Sequence, residues 1–195
     1  MVYNSLQDQW QRVFLTILQT FDYGAHLKEA ALKPNLEDWT RELTAAVVAS
    51  CRTIGWQATA KAHRNEALPV RRQEYLSLDV MAFEVSERRW RFPIAIFELE
   101  NSRNEDVVAY ALWKLLCVQA DLRVLFCYRE TAEEGASLVG KLREGVIRAM
   151  DVGKRISVPG ETMVCVGNRG HSGTFPYDFF RWWNLDMNTG FFTRM

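Results

Sequence analysis

Residues 97–102 read Phe-Glu-Leu-Glu-Asn-Ser (FELENS), closing the apolar run Phe92-Pro93-Ile94-Ala95-Ile96-Phe97 with two carboxylates two positions apart. Successive side chains on a strand alternate faces. Glu98 and Glu100 are therefore expected on one face, about 7 Å apart, with Ile94 and Ile96, while Ala95, Phe97 and Leu99 line the other. Two ionised groups that continue a buried face are costly unless positive charge meets them. The face must emerge at the end of the sheet or hold a cation.

The preceding apolar run, Tyr75 to Glu84, carries an acid in its interior, Asp79 in LSLDVMAF. If the two runs pair as a hairpin around residues 85–90, the numbers of opposed residues sum to about 175 to 177. Asp79 then lies opposite about residue 97, next to Glu98, and Asp79, Glu98 and Glu100 converge. Oxygen ligands of this kind suit Mg²⁺ or Mn²⁺. Held by such acids, a divalent ion activates a water and neutralises charge building on a phosphate. Taken alone, FELENS reads more plainly as a strand reaching solvent; Asp79 is a second anomaly at the same spot.

Helical and strand periods order the rest of the chain. Trp10, Val13, Phe14, Ile17, Leu18 and Phe21 predict a helix over residues 5–21. A second is expected from about Leu36 to Ile54, with Pro34-Asn35 as its start signal and Gly55 as its stop. Strands are expected over 56–62, 75–84 and 91–100, then a helix over 105–120 and a strand over 122–128 buried on both faces. A helix over 133–150, a strand over 162–168 and an aromatic-rich tail follow. Short connections make the first three strands an antiparallel meander, and a helical crossover makes the fourth parallel to the third. The expected fold class is α/β, a mixed sheet flanked by helices, in one domain over 1–195.

This order, with Asp79 placed 19 residues before Glu98, resembles the PD-(D/E)-x-K nuclease superfamily. That superfamily has a restriction-endonuclease-like αβββαβ core, with Asp on the second strand and (D/E)-x-K on the third. The resemblance covers about residues 36–128, leaving the helix 5–21 and a C-terminal extension 129–195 outside it. It implies that Asp79 and Glu98 hold Mg²⁺ or Mn²⁺ with the Leu99 carbonyl, and that DNA is the substrate. Glu100 departs from the pattern, standing where the family has Lys. It would bind a second metal, act as base for the attacking water, or mark an inactive copy. A lysine can migrate in this superfamily, and Lys114 on the following helix is the candidate, its plainer reading being a flank lysine over the sheet. Members often add a Glu from the first core helix. Glu42 and Glu37 are the residues so placed here, Glu37 also suiting the helix dipole. Asn101 and Asn104 could orient water or phosphate, or simply form turns.

The chain has 195 residues, 48% of them hydrophobic, enough for a real core. Lys and Arg number 24 against 24 Asp and Glu, so no whole-molecule field draws it to nucleic acid or membrane. Locally, Arg64, Arg71 and Arg72 with His63, and Arg88 and Arg89 with Arg91, cluster in turns around the site strands. They are candidate phosphate contacts. Lys141, Arg143, Arg148, Lys154 and Arg155 form a third basic group. The tail holds Phe175, Tyr177, Phe179, Phe180, Trp182 and Trp183, too many aromatics for solvent. Core cover or a homodimer interface fits them better than a base-stacking platform.

Cys117, Cys127 and Cys165 sit in apolar segments, and with Cys51 they form no C-x-x-C pair, which predicts buried thiols in a reducing, cytoplasmic setting. No segment approaches the length of a membrane span, and the N-terminal stretch lacks the basic start of a signal peptide. Gly135 to Lys141 matches G-x-x-x-x-G-K, but Leu142 replaces the required Ser/Thr and helical periodicity runs through it, so a surface helix is expected. His171-Ser172 lacks the context of a hydrolase nucleophile and reads as a glycine-rich turn. Three readings remain open: a metal-dependent nuclease cutting DNA, an inactive nuclease-fold module binding nucleic acid or a protein, and a small-ligand domain whose acid cluster is purely structural.

Overall fold

Trp10, Phe14 and Leu18 recur at helical spacing and are all buried, forming the inner face of α1 (Leu6–Leu18), whose start is capped by Ser5 Oγ accepting the Asp8 N–H at 3.2 Å. The structure, a computed structural model, describes residues 5–33 and 35–195. The single helix expected over 5–21 divides at Gln19-Thr20, and a further helix, α2 (Phe21–Leu32), follows. At that corner a Cβ on Gly24 would stand 2.2 Å from the Leu18 carbonyl oxygen, so only glycine fits. α3 (Leu36–Thr53) starts at Asn35, whose side chain accepts the N–H groups of Glu37 and Asp38. Pro34, the other half of the expected start signal, lies outside the described residues.

Seven strands form one sheet in sequential order: β1 (Gln57–Ala60), β2 (Val80–Phe83), β3 (Ala95–Leu99), β4 (Leu122–Arg129), β5 (Glu161–Asn168), β6 (Phe180–Asp186) and β7 (Phe191–Arg194). β1, β2 and β3 are an antiparallel meander. α4 (Glu105–Leu116) carries the chain from β3 to a parallel β4, and α5 (Ala132–Leu142) and α6 (Val152–Ile156) lead on to a parallel β5. The fold is therefore α/β with a mixed sheet covered by helices on both faces, and β6 and β7 close it with antiparallel pairings.

Strand alternation splits the core in two. Ala95, Phe97, Val124 and Phe126 face the first three helices, packing with Trp10, Phe14, Trp39 and Leu43. Ile96, Leu125 and Cys127 face α4 and α5, with Leu112, Leu115, Leu138 and Leu142. Most tail aromatics belong to these cores: Phe175, Phe179, Phe180 and Trp182 to the first, Trp183 to the second. Tyr177 and Phe191 stay exposed. The tail is thus absorbed by its own chain, which removes the reason for reading it as a dimer interface or a stacking platform. Cys51, Cys127 and Cys165 are buried, whereas Cys117, expected inside, is exposed at the C-terminal end of α4. No helix among the described residues is long and apolar enough to cross a membrane.

Several expected elements are shorter. β2 begins at Val80 because Leu76 and Ser77 take left-handed backbone (φ 55° each) and turn the chain away from β3. β3 begins at Ala95, while Arg91 is drawn back to the carbonyl oxygen of Glu84. The helix expected over 133–150 changes to π-helix at Arg143–Ile147, where the Arg143 guanidinium lies 3.7 Å from the centre of the Phe191 ring. The stretch resembling a phosphate loop is α5, and His171-Ser172 lie in a 3₁₀ turn, Arg169–Thr174.

Arg123 sits inside the most apolar strand, 1% exposed. Its guanidinium donates to the carbonyls of Leu115 (3.0 Å), Val118 (2.8 Å) and Pro159 (2.7 Å), closing the C-terminal end of α4. Replacing it takes the side-chain donor from the Val118 and Pro159 carbonyls, while Leu115 O keeps the Val118 N–H at 3.2 Å. Arg123→Met is expected to destabilise the fold by about 2–4 kcal/mol, read as a lower urea midpoint at unchanged slope.

Candidate active site

Glu98 stands one residue from the end of β3 on the face covered by α4, only 5% exposed. Lys114, in the last turn of α4, reaches down so that Nζ lies 2.8 Å from Glu98 Oε2. The same ammonium donates to the Ser77 carbonyl at 2.9 Å, so one cation joins strand, helix and the turn before β2. The register of β2 on β3 pairs Val80 with Phe97, within the expected sum, and continuing it sets Asp79 opposite Glu98. Asp79 itself lies outside the strand. Its Oδ2 accepts the Leu99 N–H at 2.7 Å, the bond a longer β2 would have supplied from its backbone.

Burial pushes both acids up. The Glu98 carboxyl is raised to about 7 chiefly by desolvation; Lys114 opposes this and the neighbouring Asp79 charge adds to it. Asp79 is also raised, by burial first, while the Leu99 N–H and Lys114 hold it back. Two acids raised by burial, with a lysine in contact with one of them at the end of a rigid strand, are the arrangement from which general acid–base and metal-assisted chemistry is built.

The remaining predicted site residues separate. Glu100 follows the last residue of β3; its N–H continues the ladder to Phe126 O at 2.9 Å, and its Oε1 accepts the Ser102 N–H at 2.7 Å. It is near enough to Asp79 for its charge to raise that group, yet no three His, Cys, Asp or Glu side chains among the described residues stand close enough to hold a metal. The convergence of Asp79, Glu98 and Glu100 is thus reduced to a pair, with Glu100 drawn into its own loop. Glu42 is not brought to this site. Its carboxylate pairs with Arg41 at 3.0 Å and lies 4.0 Å from His26 of α2, a helix absent from the sequence reading. Glu37 caps nothing here and sits in the first turn of α3. The Asn101 amide nitrogen donates to Thr40 Oγ1 at 2.7 Å, while Asn104 caps α4 through the Asp106 N–H.

Arg64, Arg71, Arg72, Arg88 and Arg89, from the loops after β1 and after β2, are brought together along one cleft of about 1510 Å³. All five are exposed, and their side chains make no hydrogen bond or ion pair among the described residues. Arg91, grouped in the sequence with Arg88 and Arg89 as a phosphate contact, is instead a structural tie. Its guanidinium bonds Gln57 Oε1 (3.0 Å), Ala67 O (2.6 Å) and Glu84 O, fastening the two loops together. Glu74 links cleft and site, lining the first and lying near enough to Asp79 for its charge to raise that group's pKa.

Comparison with protein-family models, with curated proteins and with solved structures finds no match.

The raised Glu98 carries a stability signature. Its ordinary value is 4.5 and its value in the fold about 7, so between them the folded chain holds the proton more tightly. Its contribution is present below about pH 4.5, falls as pH rises and is gone above about 7. Glu98→Gln is therefore expected to be more stable than wild type at pH 8.5, on the order of 1–3 kcal/mol, with the gain vanishing toward pH 4.5. Urea midpoints across that range measure it, and a pH-independent difference would contradict a buried titration at Glu98.

Proposed function

We propose that the chain is a metal-dependent nuclease of the restriction-endonuclease-like fold, hydrolysing DNA phosphodiester bonds at Asp79, Glu98 and Lys114. The observation that carries this reading is the 2.8 Å contact of Lys114 Nζ with Glu98, in a cluster that includes Asp79. The lysine that the PD-(D/E)-x-K pattern lacks at residue 100 is supplied from α4. The order α3, β1, β2, β3, α4, β4, with an antiparallel meander and a parallel fourth strand, supports the same core.

The acids suit a hard divalent ion. Glu98 Oε1 is buried without a hydrogen-bond partner, an open acceptor beside Asp79. Mg²⁺ characteristically binds one or two carboxylates, keeps several waters and completes its shell with substrate phosphate, so a two-acid site fits it. Asp79 and Glu98 would hold Mg²⁺ or Mn²⁺, with the Leu99 carbonyl as third oxygen. When bound, the ion lowers the pKa of a water and offsets charge on the phosphate. Lys114 orients Glu98 and presents an ammonium to a phosphate oxygen or to the attacking water. Glu100, with one oxygen engaged by Ser102, has the other to accept a proton from that water. The five unpaired arginines of the cleft would hold the strand's phosphates.

Two observations favour the second reading, an inactive module binding through the same cleft: Lys114 already occupies one oxygen of Glu98, and no three-ligand group stands ready among the described residues. Incubation of linear, circular and single-stranded DNA with Mg²⁺ or Mn²⁺ separates the two. Cutting that falls by about 10²-fold or more in Asp79→Ala, Glu98→Gln and Lys114→Met supports the nuclease. Folded wild-type protein that binds DNA but cuts none of these substrates establishes the module instead.

A further inference from the structure

The loop between β2 and β3 breaks a general rule of burial. Trp90 is 70% exposed and Phe92 71% exposed, although every tryptophan of the tail is buried. They alternate with Arg89 and Arg91 in the run Arg88-Arg89-Trp90-Arg91-Phe92. Trp90 also holds left-handed backbone, φ 56°, a conformation bulky residues rarely adopt. Between the two rings, the Arg91 guanidinium is bonded to Gln57, Ala67 and Glu84, so the loop is pinned at its middle while the aromatics on either side stay in solvent. Arg88, Arg89 and Arg91 line the cleft together with Arg64, Arg71 and Arg72 of the loop after β1, while the rings of Trp90 and Phe92 lie outside its lining, on the same run of chain. Seven of the cleft's lining residues are Lys or Arg and three are Glu, a surplus of positive charge on a chain with no net charge.

We infer that this cleft takes a single-stranded polynucleotide, its phosphates on the five unpaired arginines and its unpaired bases stacked on Trp90 and Phe92. A duplex offers phosphates but hides its base faces, and the two rings would then remain in water. An unpaired strand supplies both partners at once: an anionic backbone for the arginines and a π-face for each ring. Stacking does not read sequence, so no base preference is expected. The inference rests on the cleft being a nucleic-acid groove; it is independent of whether the acids at β3 cut.

Fluorescence anisotropy in EDTA, where no metal-dependent cutting occurs, tests it with labelled oligo-dT, oligo-U and a duplex of equal length. Both single strands are expected to bind at least tenfold more tightly than the duplex. Five arginine–phosphate contacts predict a slope of log affinity on log salt of roughly −3.5 for single strands. Trp90→Ala is expected to weaken single-strand binding by about 5- to 150-fold, leaving the duplex unchanged, while Trp90→Phe retains most of it. Arg88→Gln with Arg89→Gln should instead weaken both forms and flatten the slope. Duplex bound as tightly as single strand, or Trp90→Ala without effect, overturns the stacking role while leaving the groove. Absence of binding to every nucleic acid overturns the groove as well.

Discussion

A buried carboxylate at the end of a central strand must be met by positive charge, and here Lys114 meets Glu98 at 2.8 Å. That requirement organises the region around it. The apolar face of α4 (Val108, Ala111, Leu112 and Leu115) seats the helix on the sheet, and its last turn then brings Lys114 to Glu98. Through Ser77 the lysine also holds the irregular turn that delivers Asp79. Breaking the pair would leave Glu98 with no other cation in contact among the described residues, where an unpaired charge costs several kcal/mol. Desolvation still outweighs the lysine, leaving the carboxyl at about 7. A group balanced there can exchange a proton near neutral pH, which a fully neutralised structural pair would not.

The charges of the molecule are segregated by element. The meander half carries the unpaired arginines on its two loops, and Arg91 fastens those loops to each other and to β1. The parallel half is built for rigidity: β3, β4 and β5 are buried along most of their length between two helical layers. Its interior cations are structural. Arg123 closes α4, and Arg155 donates to Met187 O at 2.9 Å and Asn188 O at 3.0 Å, holding the turn between β6 and β7. The site therefore lies where a rigid support meets solvated charge that has no partner among the described residues.

Hydrophobic period made the central part of this fold legible. The run through Phe97 and the run LRVLFCY were readable as buried strands because their apolar length exceeds what a solvent-facing strand would carry, and the crossover helix then fixed a parallel pairing. Asp79 stood out against its apolar neighbours, and its register with Glu98 followed from the hairpin count. Lys114 could be named only as a candidate, with a flank lysine as its plainer reading, because nothing in a helical pattern says how far a long side chain bends. The misses have physical causes. α2 was invisible because its inward residues are Gly24, Leu27 and Ala30, too small to make an apolar stripe. Glu42 was misplaced as a consequence, its partner His26 belonging to that helix. Glu100 was assigned by strand parity, which ceases to apply once the strand ends at Leu99. The exposed ring of Trp90 lay beyond reach for a simpler reason: one aromatic among arginines does not tell whether it is turned inward.

The most direct measurement is the loss of backbone amide signals in nuclear magnetic resonance as Mn²⁺ is titrated into the protein. If Asp79 and Glu98 hold the ion, the amides of Asp79, Glu98, Leu99 and Glu100 broaden before all others, and Glu98→Gln abolishes that selectivity. Broadening that starts elsewhere, spreads evenly over acidic surface residues, or survives unchanged in Glu98→Gln would contradict a metal site at the end of β3.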